Sequence, residues 1–347
     1  MTEHKNTKDI FFAAANGYNG FRSNFDKIFI PEEYEKIYVI KGGPGTGKST
    51  LMRRISNVFS GKLYSCEILC SSDPKSLDGL ILQINNKKIA ILDGTSPHVY
   101  EPKYIGAVEE IINLGAYFDY SSLKRNKDEI VKLSCEKKRN YDQAYFELSI
   151  CGKIRQYIYN IFDNMAVYNS AEINFNEYIK EYNTENQIQQ SSPYLFGSFS
   201  KNGYQKLDIP VTSKRIVSIS GDGMTEHYLM SRIHDHLLKN KLGFTSYESP
   251  LSSSLFDVIE TDSTIFATTD KNEGIDSSKS ITLKKFSDDY FNLKKMYSYF
   301  LSRAKDSFNN AAINHFALES IYSANVDFSG IEDITSTIIT DINYVLS

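Results

Sequence analysis

Residues 37–55 read IYVIKGGPGTGKSTLMRRI, and this stretch decides the fold. Apolar Ile37, Val39 and Ile40 predict a buried strand, and the apolar residues that follow the glycines return at helical spacing. The glycines in between allow the backbone to curl, so that successive N–H groups point towards one anion. The positive end of the following helix strengthens the same attraction. The stretch therefore has the residue pattern of a phosphate-binding P-loop.

The loop itself supplies the expected ligand-binding residues. Lys48 would reach the β- and γ-phosphates of ATP, and the Ser49 hydroxyl would bind Mg²⁺. We expect ATP to contact the whole loop: Gly42, Gly43, Pro44, Gly45, Thr46, Gly47, Lys48, Ser49 and Thr50.

A second acidic motif follows the P-loop at the expected spacing. Residues 88–93 read KIAILD, which predicts a buried strand that ends in Asp93. In P-loop proteins an aspartate at this position holds Mg²⁺, so we expect Ser49 and Asp93 to bind the metal and Lys48 and Asp93 to act in catalysis. The next residue is Gly94, so the acidic neighbour that activates water in many ATPases is missing. Other residues are then candidates for the catalytic base: Glu67, Asp73, His98 and Glu101.

The chain contains an internal repeat. When Lys36–Ile55 is placed on Lys214–Ile233 without a gap, eight of the twenty positions are identical. We interpret this as a tandem duplication, with one domain over residues 1–187 and a second over residues 188–347. The predicted fold class is α/β: two P-loop NTPase-like three-layer domains with mostly parallel sheets, each carrying a helical extension.

The two copies differ where the chemistry lies. Glu226 stands in place of Lys48, and His227 stands in place of Ser49. A carboxylate that faces a polyphosphate meets like charge, so it weakens binding. Asp93 maps to about Thr269, beside Asp270. The sequence therefore predicts one active and one degenerate nucleotide site.

Three segments together resemble an uncharacterised bacterial family of tandem P-loop ATP-binding proteins that are known only as ATPases. They are KGGPGTGKSTLM at 41–52, CSSDPKSLDG at 70–79 and ILDGTSPHVYEPKYIGAVEEIINLG at 91–115. The resemblance is close over the first half and loose over the second, where members of the family carry an intact P-loop. It implies ATP binding on an α/β fold, without a known substrate, and it places the loop after Asp93 at the working surface.

Composition limits the other possibilities. The 347 residues carry a net charge of −4, which argues against a broad nucleic-acid-binding surface. The polar N-terminus and the lack of a long apolar run predict neither secretion nor a membrane span, so we expect a cytoplasmic protein. The four cysteines fit a reducing compartment.

Apolar residues at helical spacing predict long helices from Tyr104 to about Tyr182 and from Phe286 to Ser347. We expect them to pack on the sheets or on each other. The leading hypothesis is a Mg²⁺-dependent ATPase or ATP-dependent switch that acts on an unidentified protein partner. The alternative is a phosphotransferase with a small acceptor, which would need converging lid arginines. The candidates are scattered: Arg125, Arg139 and Arg155.

Overall fold

The computed structural model describes residues 8–98, 100–164, 188–210, 212–269, 275–277 and 288–346. The predicted helix over residues 165–182 and the position of Asp270 lie outside these ranges.

The first half contains eight strands and four α-helices among its described residues. The strands are β1 Lys8–Phe12, β2 Ala14–Gly17, β3 Gly20–Ser23, β4 Lys36–Lys41, β5 Tyr64–Leu69, β6 Leu77–Ile84, β7 Lys87–Asp93 and β8 Glu109–Asn113. The helices are α1 Phe25–Ile28, α2 Lys48–Phe59, α3 Tyr120–Arg125 and α4 Lys127–Asn164, with 3₁₀ turns at Pro31–Glu33 and Leu114–Tyr117.

The strands of the second half follow the same order. Its strands are β9 Gln189–Ser191, β10 Gly197–Ser200, β11 Gly203–Lys206, β12 Arg215–Ser220, β13 Phe244–Ser249, β14 Ser252–Glu260, β15 Thr264–Thr268 and β16 Ile275–Asp276. Its helices are α5 Thr225–Lys239, α6 Asp288–Ser323 and α7 Phe328–Leu346.

The two main sheets have the same topology. The first has the order β1-β5-β6-β7-β4-β8, and the second has the order β9-β13-β14-β15-β12-β16. In each sheet the third strand in this order is antiparallel to both neighbours, and the other adjacent pairs are parallel. The fold is thus α/β with two six-stranded mixed sheets, in each of which three of the five adjacent pairs are parallel.

The antiparallel strand β6 was not predicted from the sequence. A two-residue turn at Asn85 and Asn86 joins it to β7, and Asn85 has a φ of 52°. Asparagine tolerates this left-handed backbone, so Asn-Asn between two apolar runs is a hairpin signal. The prediction of helix from Tyr104 was also wrong, because Glu109–Asn113 forms β8 and helix begins at Tyr120.

The alignment of the two copies changes by one residue between the strand before the loop and the helix after it. The Ile40 carbonyl accepts the N–H of Gly94 at 2.9 Å, and the Ile219 carbonyl accepts that of Thr269 at 2.8 Å. These equivalent bonds place Thr268, not Thr269, at the position of Asp93. The gap-free alignment, which paired Ile40 with Ser218, was therefore wrong by one residue in the strand. A shift of one residue would turn the apolar face of β12 away from α5.

The long helices join the two halves. Helices α4 and α6 pack antiparallel, since Phe162 lies by Tyr290 with ring centroids 6.0 Å apart, and Tyr141 lies by Phe308 at 5.8 Å. Glu147, at the middle of the contact, is buried. Its carboxylate accepts hydrogen bonds from Arg303 Nε at 2.8 Å, Ser307 Oγ at 3.0 Å and Gln143 Nε2 at 2.8 Å.

The last helix, α7, returns to the first half. Its buried face packs into the core formed by α2 and the first sheet, with Ile331, Ile338 and Ile342. The Asp341 carboxylate lies 2.5 Å from Lys36 Nζ on β4. The core of residues 1–187 is therefore completed by the C-terminal segment of the chain.

We expect Ile342→Ala to lower the free energy of unfolding by about 2–5 kcal/mol, because it opens a cavity in this core. Thr340→Ala, two residues away and exposed, should change it by less than about 0.5 kcal/mol. Urea unfolding measured for both variants tests the placement of α7, and equal effects would contradict it.

Candidate functional site

The predicted P-loop lies between β4 and α2, as the motif requires. Gly45 and Gly47 have φ values of 69° and 80°, which favour glycine, and Gly47 directly precedes the first turn of α2. The Thr46 hydroxyl donates to the Gly43 carbonyl at 2.9 Å and closes the loop on itself. The loop thus has a tight turn followed by the N-terminus of a helix.

Lys48 and Asp93 meet at the carboxyl end of the sheet. Lys48 Nζ donates to the carbonyls of Gly42 at 3.1 Å and Gly43 at 2.8 Å, and it lies 3.6 Å from Asp93 Oδ2. Strand pairing accounts for this, because Ile40 is the partner of Asp93 across β4 and β7. Two residues 45 positions apart in sequence are therefore neighbours in one site.

Ser49 and Asp93 also hold the surrounding backbone. Ser49 Oγ accepts the N–H of Leu77 at 2.8 Å, and Asp93 Oδ1 accepts the N–H of Thr95 at 2.9 Å and its hydroxyl proton at 2.5 Å. Burial raises the pKa of the Asp93 carboxyl, Lys48 opposes the shift, and the nearby Asp78 carboxylate adds to it.

The oxygens of Ser49 and Asp93 would hold magnesium only together with oxygens from a bound phosphate. Among the described residues, no group of three or more His, Cys, Asp or Glu side chains could hold a metal ion. Mg²⁺ is usually bound through one or two carboxylates together with phosphate oxygens and water. Ser49 and Asp93 would suffice for that arrangement, with the phosphates supplying further oxygens.

Asp78 and His98 were not recognised together from the sequence. The register that pairs Gly79 with Leu92 brings Asp78 beside Asp93, and His98 Nε2 lies 2.7 Å from Asp78 Oδ2. Burial alone would lower the pKa of His98, but the Asp78 carboxylate outweighs it and the pKa is raised. Asp78 therefore supplies a second carboxylate next to Asp93. In many ATPases that carboxylate comes from the next residue, which is Gly94 in this chain. The Asn85–Asn86 hairpin turn was the signal that could have revealed it.

The loop after β7 is fixed by one buried carboxylate. Glu109 accepts the N–H groups of Lys103 at 2.6 Å and Tyr104 at 2.5 Å, and the hydroxyl of Tyr100 at 2.6 Å. Lys41 Nζ, at the end of β4, donates to the Gly94 carbonyl at 2.6 Å. The segment that the family resemblance places at the working surface is thus tied to the P-loop strand.

The other predicted bases lie in different surroundings. Glu67 is buried against Ser56 Oγ and Lys8 Nζ, both at 2.7 Å from its Oε1. Asp73 accepts the N–H of Lys75 at 3.2 Å within a turn. Glu101 is exposed. Of the four candidates, His98 is the one that the structure brings next to Asp93.

The corresponding loop of the second half is filled by its own side chains. The Glu226 carboxylate accepts the N–H of Gly223 at 3.1 Å, and a Cβ placed on Gly221 would lie 2.3 Å from Glu226 Oε2. Burial alone would raise the pKa of Glu226, but the hydrogen bond from His227 and the charge of Arg155 lower it overall. An N–H group of the type that binds phosphate is here bound to an internal anion.

Arg155 reaches this loop from α4 of the first half. Its Nη2 donates to the Gly223 carbonyl at 2.7 Å and to the Tyr297 hydroxyl at 2.9 Å, and its Nη1 lies 3.3 Å from His227 Nδ1. His227 Nε2 lies 3.0 Å from Asp257 Oδ1. Asp257 stands beside Thr268 in the sheet, as Asp78 stands beside Asp93, so both halves place an aspartate–histidine pair at this edge.

No known protein family, curated protein or solved structure matches the chain. Within the described ranges, no helix is both long enough and apolar enough to cross a membrane.

The pair of Asp78 and His98 predicts a pH-dependent stability. Because the pKa of His98 is raised in the folded state, the pair stabilises the fold below the ordinary histidine pKa of about 6.5, and this stabilisation is lost as the pH rises through the raised value. We expect Asp78→Asn to lower the free energy of unfolding by about 1–3 kcal/mol at pH 6 and by less at pH 9. Urea unfolding at both pH values measures the difference. A difference that does not change with pH would contradict the ion pair.

Proposed function

We propose that the first half binds Mg·ATP and hydrolyses it, and that the chain works as an ATPase or ATP-dependent switch. The observation that carries this proposal is the position of Lys48 at the N-terminus of α2, 3.6 Å from the Asp93 carboxylate. In P-loop NTPases, a lysine and an aspartate with these positions contact the phosphates and the metal. The sequence resemblance to tandem P-loop ATP-binding proteins supports the same function.

The residues have separate roles in this proposal. The loop N–H groups and Lys48 bind the β- and γ-phosphates, while Ser49 and Asp93 hold Mg²⁺, which neutralises the charge that develops on the phosphates. Hydrolysis breaks the bond between the γ-phosphorus and the β,γ-bridging oxygen, as a water oxygen attacks and ADP leaves. Asp78 and His98 lie beside Asp93, and we assign them to the orientation of that water and to the acceptance of its proton.

The phosphotransferase hypothesis lacks a comparable observation. It requires arginines that converge on the γ-phosphate, but Arg155 binds the loop of the second half, and Arg125 and Arg139 are exposed. We therefore retain the ATPase or switch as the proposed function, with an unidentified protein as its partner.

Lys48→Ala should abolish ATP binding without unfolding the chain, since Lys48 contacts loop carbonyls rather than the apolar core. ATP at 100 times its dissociation constant should stabilise the wild type by about 2.7 kcal/mol and the variant by almost nothing. Thermal unfolding with and without Mg·ATP measures this, and equal shifts in both proteins would refute the proposed site.

Asp93→Asn tests hydrolysis separately from binding. We expect it to keep ATP binding and lose most Mg²⁺-dependent turnover, because the carboxylate acts through the metal. Turnover at the wild-type level would assign the metal to another residue.

A third prediction concerns stoichiometry. Because Glu226 already occupies the loop N–H of Gly223, one ATP should bind per chain. Glu226→Gln removes the charge and keeps the shape, so it should leave that stoichiometry and affinity unchanged. Calorimetric titration decides this, and two bound nucleotides in the wild type, or loss of the one site in the variant, would show that the second half binds ATP.

A further inference from the structure

Each half sends its long helix to the loop of the other half. Helix α6 starts beside the second-half loop, where Lys294 Nζ lies 2.7 Å from Asp222 Oδ2, and it ends on the P-loop of the first half. Its 36 residues span about 54 Å at about 1.5 Å per residue. A single rigid element therefore connects the two loops.

The end of α6 and the start of α7 cover the P-loop glycines. A Cβ placed on Gly45 would lie 2.6 Å from the Glu319 carbonyl oxygen, and one on Gly43 would lie 3.0 Å from the Tyr322 ring. A Cβ on Gly47 would lie 3.6 Å from the Phe328 ring. We call residues 319–328 the cover segment, because it lies against three glycines of the predicted P-loop: Gly43, Gly45 and Gly47.

The cover segment also brings an anion to the lysines of the site. Glu319 lies 3.5 Å from His315, and the hydrogen bond from His315 lowers its pKa, with further contributions from the charges of Lys48 and Lys137. Burial lowers the pKa of Lys137 on α4, the nearby Lys48 lowers it further, and Glu319 opposes both effects. The Glu319 carboxylate thus pairs with His315 and interacts electrostatically with two ammonium groups, one of which is the lysine that is expected to bind phosphate.

The loop of the second half is also contacted by a long helix, which hydrogen bonds hold in place. Tyr159 of α4 donates its hydroxyl proton to the Met224 carbonyl at 3.0 Å, and Arg155 binds the Gly223 carbonyl. Tyr159 and Tyr322 each follow an isoleucine and lie near the far ends of the two long helices. In both halves, therefore, the loop is contacted by the long helix of the other half. In the first half, the loop that is covered in this way retains its lysine.

We propose that the cover segment is a lid over the P-loop, and that the Glu319 carboxylate competes there with the γ-phosphate of ATP. The inference rests on the proposed binding of ATP by the first half. ATP brings its own negative charge to Lys48 and Lys137, so it displaces Glu319 and shifts the end of α6 away from the loop. Because α6 also contacts Asp222, the second half receives this movement.

Removal of the competing charge is the first test. Glu319→Gln should raise ATP affinity on the order of threefold to tenfold, and it should raise ADP affinity less, because ADP lacks the phosphate that replaces the carboxylate. Asp306→Asn is the matched control: it removes one exposed negative charge from the same helix, about 20 Å from Glu319, which exceeds the screening length of about 8 Å. It should leave both affinities unchanged. Isothermal titration calorimetry with Mg·ATP and Mg·ADP measures all four values.

A fluorescent reporter gives a second, independent test. The chain has no tryptophan, so Tyr322→Trp introduces a single indole at the P-loop. Its emission should change when Mg·ATP is added, and the change should disappear when Lys48→Ala is added to the same chain.

The outcomes separate the lid from the proposed function. If the wild type binds ATP and Lys48→Ala does not, while Glu319→Gln has wild-type affinity and the indole at position 322 does not respond, ATP binding stands and the lid is refuted. If the wild type binds no ATP, the proposed function fails and the lid fails with it. Higher ATP affinity in Glu319→Gln than in Asp306→Asn, together with the emission change, supports the lid.

Discussion

The antiparallel packing of α4 against α6 is the contact on which the rest of the architecture depends. Glu147 is buried at its centre and receives hydrogen bonds from Arg303 and Ser307. Removing one partner of a buried charge is costly, so this carboxylate favours one register of the two helices over its neighbours. That register in turn decides which residues arrive at each loop: Arg155 at one end and Glu319 at the other.

The two loops differ in the charged side chain that lies at their backbone N–H groups. A strand–loop–helix connection directs N–H groups towards a common point, which favours the binding of an anion there. In the second half the anion is Glu226, which belongs to the chain itself, accepts the N–H of Gly223, and has its pKa lowered by the hydrogen bond from His227 and the charge of Arg155. In the first half Lys48 donates to the loop carbonyls of Gly42 and Gly43, and under the proposed function the phosphates of ATP supply the anion. The substitution of Lys by Glu at one position thus places an anion of the chain itself on the second-half loop.

The sequence predicted what is encoded within short segments. The P-loop, the strand that ends in Asp93 and the repeat all depend on neighbouring residues, and the structure places Lys48 beside Asp93 as that pattern requires. Asp78 was missed because its closeness to Asp93 depends on the register of an antiparallel hairpin that local periodicity did not separate from its surroundings. Binding of ATP itself remains a prediction.

The path of the C-terminal segment could not be predicted for a different reason. The apolar face of α7 predicts that the helix packs against another element, but it does not indicate which sheet that element belongs to. The partner is the first-half core, some 250 residues earlier in the chain, and the choice follows from where α6 ends. Because α6 must cross to the first half to pair with α4 along its whole length, α7 begins beside the P-loop and has the first sheet as its neighbour. The cover over the loop is therefore a direct consequence of the helix exchange, so any change in the seating of α6 alters the surroundings of Lys48.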